Sequence, residues 1–167
     1  MTLAQALLAC LETELAAHPA KPVPAERVML RAGAEVTPLL STSTDECCTG
    51  LGWVRIAQIT GVREINDTAS VHGCFGQERV LTLEMGVARC APTPSTNAIP
   101  TADQWTQVAL LLDLDQGAME AAVCCAFGDL STVLAQDLAV GDYEPFGVDG
   151  NCVGGTMTVR LVMEACC

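Results

Sequence analysis

A chain of 167 residues, half of them hydrophobic, is long enough to bury a core in one domain and too apolar for an intrinsically disordered segment. With 20 acidic against 8 basic residues and a formal charge of −12, it lacks the material for a basic patch that would grip nucleic-acid phosphates. No apolar run approaches the roughly 18 residues that cross a bilayer, and Glu12 and Glu14 interrupt an N-terminal stretch without a basic lead, so neither a membrane span nor a signal peptide is expected.

The first element reads as a helix. Thr2 and Gln5 fit a capping box, and Leu3, Ala6, Leu7, Cys10, Leu11 and Leu15 follow at helical spacing until Pro19, Pro22 and Pro24. Cys10 on this stripe is expected to act as a small buried hydrophobe, and His18 to complement the helix C-terminus as a charge. ERVMLRAG reads as a strand leading into a loop around Pro38 and STST. GLGWVRIAQITGV is a stronger strand, rich in branched and aromatic residues and bounded by glycines. Residues 63 to 78, polar and punctuated by glycine, read as a long excursion.

Between residues 80 and 89, Leu81, Leu83, Met85 and Val87 alternate with Thr82, Glu84, Gly86 and Ala88, the period-two pattern of a strand with one buried face. APTPSTNAIP is a linker. Thr101 and Gln104 form a second capping box, and Trp105, Val108, Ala109 and Leu112 start a helical stripe. It resumes at Met119, Ala122, Val123 and Ala126, past a polar patch (Asp113, Asp115, Gln116, Gly117) expected to kink or divide the helix. STVLAQDL reads as a short helix and GDYEPFGVDGNCVGG as a glycine-rich turn region. TMTVRLVMEA closes the chain as a strand with Met157, Val159, Leu161 and Met163 on one face. The expectation is a single α+β domain over residues 1–167. It has a mainly antiparallel sheet of about four strands, an N-terminal helix and a long second helix on one face, and extended loops.

Ten cysteines and two histidines invite a metal, but no C-x2-C pair occurs, and adjacent cysteines on a strand point to opposite faces. His72 and Cys74 are the only weak ligand candidates, with no second pair to complete a site, so no metal or other cofactor is expected. Thiol catalysis needs a base near the nucleophile, and only His18 and His72 are available; the C-x-x-C redox motif is absent. Asp113 and Asp115 point to different sides of their helix, and GVDGNCVGG lacks the lysine and hydroxyl of a phosphate loop. No enzyme is expected. Cys47, Cys48, Cys74, Cys90, Cys124, Cys125 and Cys152 read as buried thiols or disulfides, with the pairs 47/48 and 124/125 expected to be free thiols in a reducing cytoplasm.

Placed in order, the segments TLAQALLACLETEL, CCTGLGWVRI, RVLTLEMGVARCAP, ADQWTQVALLLDLDQGAMEAAVCCAF and GNCVGGTMTVRLVMEA resemble the tail terminators and related head-to-tail connection proteins of long-tailed, siphovirus-type actinobacteriophages. The resemblance covers nearly the whole chain and rests on element order with a few marker residues. It implies a structural virion protein, made in the host cytoplasm, that forms a hexameric ring at the head-to-tail junction. Such a ring caps the tail tube, contacting the major tail tube protein on one side and a head-completion or stopper protein on the other. DNA passes through its lumen without specific binding, and no membrane is involved. It also implies that some cysteines form disulfides once the virion leaves the reducing cytoplasm. The alternatives are another neck ring, either head-closure or adaptor, and, from another class, a cysteine-rich metal-binding or redox protein or a small enzyme with a dispersed site.

Overall fold

The computed structural model describes residues 2–31, 46–61, 77–92, 94, 99–128, 135–149 and 151–165. Helix α1 (Leu3–Ala16) is followed by strands β1 (Val28–Arg31), β2 (Leu51–Gly61) and β3 (Gln77–Cys90), helix α2 (Ala102–Phe127), and strands β4 (Ala135–Asp149) and β5 (Cys152–Ala165). Short 3-10 turns occupy Ala25–Arg27 and Glu46–Thr49. The architecture is α+β, with both helices packed on one face of the sheet.

The sheet has five strands rather than about four, in the order β1-β2-β3-β5-β4. The extra strand is β4. The stretch read as a short helix enters this strand at Ala135, and most of the stretch read as a turn region, residues 141 to 149, continues it. Its glycines fall where the β4–β5 register shifts, between Val140 and Tyr143 and between Phe146 and Asp149, and Gly141 lies against Thr158 of β5 so closely that a Cβ there would collide with the Thr158 side chain. All pairings are antiparallel except β1–β2, which is parallel. The excursion expected over residues 63 to 78 falls largely outside the described residues.

Both capping boxes form. The Thr2 hydroxyl accepts from Gln5 N while Gln5 returns a bond to Thr2 N, and Thr101 and Gln104 repeat the arrangement. These caps satisfy orphan N–H groups and fix where each helix begins. The polar patch in α2 does not divide it into two elements; the helix is continuous over 26 residues.

The alternating positions face one core as expected. Leu83, Met85, Val87, Val159 and Leu161 are fully buried, Leu81 and Met157 nearly so, and Met163 packs at the margin. Leu7, Leu11 and Leu15 of α1 and Met119, Ala122, Val123 and Phe127 of α2 close over them. Leu83→Ala is expected to cost about 2–5 kcal/mol, read from chemical unfolding, because this close-packed site leaves a cavity. On the opposite face Trp53 lies against Gly86, its register partner, with its ring 6.4 Å from that of Phe146.

Candidate functional site

The period-two alternation of β3 carries one step beyond its apolar residues, to Arg89, which therefore points into the helix-covered core and is fully buried. A buried guanidinium requires partners. Asp115 of α2 supplies them: Arg89 Nε donates to Oδ2 at 3.0 Å and Nη2 to Oδ1 at 2.5 Å, a bidentate pair, while Nη1 donates to the Lys21 carbonyl at 2.9 Å. The pair ties the end of β3 to the middle of α2 and to the turn after α1.

His18 completes the cluster, and its role differs from the charged helix-end group expected. It is buried, and its Nδ1 accepts N–H bonds from Ala20 and Lys21 at 3.3 and 3.0 Å. The hydrogen-bond network thus assigns the ring proton to Nε2, which lies 3.3 Å from Asp115 Oδ1 without hydrogen-bond alignment. Burial lowers its pKa; Asp115 opposes that shift and Arg89 adds to it. A histidine whose only acceptor nitrogen is occupied by the backbone cannot serve as a general base. The buried Tyr143 hydroxyl has no hydrogen-bond partner, and burial, with a smaller contribution from Asp115, raises its pKa. His18, Arg89 and Asp115 are all buried and together form an internal lock between β3, α2 and the turn after α1.

The cysteines assemble into a different pattern from the free thiols expected at 47/48 and 125. Cys47 is bonded to Cys152, Cys48 to Cys90, and Cys10 to Cys125. The Cα separations are 5.7, 4.2 and 5.9 Å respectively. Opposite-face geometry does not apply to Cys47 and Cys48, because they sit on the 3-10 turn Glu46–Thr49 and both reach the end of the β3–β5 ladder, where Cys90 and Cys152 are register partners. Cys10 is not a free core thiol; it crosslinks α1 to α2. Cys124 is free and exposed. His72 and Cys74 lie outside the described residues. Among the described residues, no group of three or more His, Cys, Asp or Glu is arranged to hold a metal. Nor is any helix among them long and apolar enough to cross a membrane.

Two surface features stand apart from this interior. No residue of α2 from Ala102 to Leu114 is buried, although the stretch reads WTQVALLLDL from Trp105 onward. Trp105, Leu110 and Leu114 are 41%, 61% and 39% exposed; of the stripe expected from Trp105, Ala109 is also exposed while Val108 and Leu112 are half-buried, and full burial begins only at Asp115. The edge strand β4 exposes Asp137, Asp142 and Glu144 and contains no lysine or arginine.

No protein-family model matches the chain, and a search of curated proteins finds no significant relative.

Proposed function

We propose that the chain is a structural virion protein that forms a closed ring at the head-to-tail junction of a long-tailed bacteriophage, and that within this junction it is the tail terminator. The observation that carries the reading is the partly exposed apolar first half of α2, in which no residue is fully buried. Large apolar side chains left exposed along one helix, here Trp105, Leu110 and Leu114, mark an interaction surface. In a chain of charge −12, the stretch from residue 104 to 112 holds no charged side chain, so two copies can meet there without apposing carboxylates. The receiving patch must lie elsewhere on the subunit, because a ring needs a heterologous contact that closes after a fixed rotation. The resemblance of the sequence to tail terminators supplies the hexamer and the two axial partners, the major tail tube protein and a head-completion protein.

The acidic β4 edge suits this role. A ring lumen lined by carboxylates repels the phosphates of passing DNA, whereas clustered arginines would hold them. The same charges discourage one β4 edge from pairing with another in solution.

Deletion of the gene is expected to leave filled heads and unjoined tails of abnormal length in electron micrographs of lysates. Heads joined to tails of normal length would refute the role. Tails of normal length that fail to join would move the protein from the terminator to a neighbouring neck ring.

A further inference from the structure

The two disulfides at the end of the sheet belong to one cluster of four sulfurs rather than to two separate sites. Cys47 and Cys48 are adjacent in sequence. Cys90 and Cys152 face each other across the β3–β5 ladder, and the type of that facing pair follows from its neighbour. Ala91 N donates to Asn151 O at 2.7 Å, which makes 91/151 a hydrogen-bonded pair and 90/152 the non-hydrogen-bonded kind, in which facing side chains come closest. Cys90 and Cys152 are therefore placed to bond to each other, yet each is bonded to the turn instead. The two bonds also differ in access. Cys47 and Cys152 are 5% and 3% exposed, whereas Cys48 and Cys90 are half-buried.

We propose that these four cysteines form a thiol–disulfide switch in which one two-electron reduction frees both tethers of the turn Glu46–Thr49. A small thiol, as its thiolate, attacks the Cys48 sulfur at the accessible bond, forming a mixed disulfide and expelling the Cys90 thiolate. That thiolate attacks the facing Cys152 sulfur, forming the cross-strand Cys90–Cys152 bond and expelling the Cys47 thiolate, which takes a proton. A second equivalent of the small thiol attacks its own sulfur in the mixed disulfide and releases Cys48 as a thiol. In sum, two small thiols become one small disulfide, and the protein gains two electrons and two protons while keeping one of its two bonds within the cluster. Each step is an ordinary exchange through a mixed disulfide.

The consequence reaches the buried lock. Gly50, directly after the turn, has a φ of 85° that favours glycine, and a Cβ there would lie 2.7 Å from Val23 Cγ2 and 2.8 Å from Arg89 Nη1. Its carbonyl accepts from Arg27 Nε at 3.1 Å. Releasing the turn thus removes cover from Arg89 while the β3–β5 ladder stays crosslinked. The switch stands independently of the ring reading.

The cluster can be followed in the purified full-length chain, oxidised with glutathione disulfide, exposed to rising dithiothreitol without denaturant, alkylated and digested with trypsin. Cleavage after Arg31 and Arg55 places Cys47 and Cys48 on one peptide, and cleavage after Arg89 and Arg160 places Cys90 and Cys152 on another. The expected intermediate carries two alkyl groups on residues 32–55, that peptide being free of residues 90–160, which retain an internal bond. In Cys90→Ser the bond between the two peptides should persist to at least tenfold higher dithiothreitol than releases it in the parent chain. A two-thiol species with the peptides still joined, simultaneous appearance of all four thiols, absence of any crosslink after oxidation, or release from Cys90→Ser at the parent concentration would each overturn the switch.

Discussion

Asp115→Ala is expected to destabilise the fold by about 3–5 kcal/mol, a large share of the 5–15 kcal/mol that holds a typical domain together. The loss arises less from the attraction removed than from what is left behind. Arg89 is fully buried and directs two of its donors at Asp115, so the variant strands an uncompensated guanidinium beneath the helices. The control separates that penalty from the worth of the pair. A double variant, Arg89→Met with Asp115→Leu, removes both charges and should recover most of the loss, because buried ion pairs often do no better than apolar side chains of similar volume. Urea unfolding of the three chains decides the matter; a loss below about 1 kcal/mol in the single variant would mean that the pair is not desolvated. His18 adds an acid-side signature. Its pKa is lowered in the fold from an ordinary value of 6.5, so the unfolded chain binds the proton more readily. Its contribution is full above about pH 6.5 and is lost as the pH falls from there toward the lowered folded value. His18→Gln should flatten that part of the stability profile.

Periodicity made much of this fold legible, and the departures have physical causes. The apolar faces of β3 and β5 follow the alternation residue by residue, and the two capping boxes mark the helix starts because a hydroxyl and an amide three residues apart have few better uses. Strand β4 escaped because Gly141, Gly147, Pro145 and three exposed acids obscure its alternation; an edge strand with acids on show resembles a loop in one dimension. The central lock escaped for a related reason. Asp115 sits among Asp113, Gln116 and Gly117, and a cluster of polar residues reads as a solvated face. The signal that could have found it was Arg89, the fifth member of the series 81, 83, 85, 87, 89, which must point where Val87 points. Spacing rules for metal sites were of no use for the cysteines, because Cys47 and Cys48 meet their partners from a 3-10 turn and only the register of β3 on β5 brings Cys90 opposite Cys152.

The same separation of interior from surface makes the assembly testable without disturbing the fold. Leu110→Asp is expected to abolish the ring while leaving the monomer intact. Leu110 is 61% exposed and no residue from Ala102 to Leu114 is buried, so the substitution removes no core contact and costs only the helix-propensity difference of about 0.5 kcal/mol. At an interface the effect is far larger. Burying the remaining leucine surface contributes on the order of 1–2 kcal/mol, and an unpaired aspartate in its place adds a desolvation cost of several kcal/mol. A loss of about 3 kcal/mol per contact weakens each one by roughly a hundredfold. Closed symmetry repeats that loss at every subunit boundary, so partial rings gain no refuge from it. Light scattering should therefore show the parent chain at a multiple of its 17.5 kDa mass and the variant at 17.5 kDa, with the variant keeping a single cooperative unfolding transition. A parent chain that stays monomeric at the high local concentrations of assembly would defeat the ring itself. A variant that keeps the ring mass would show that α2 lies away from the subunit boundary and return the search to the sheet edges at β1 and β4.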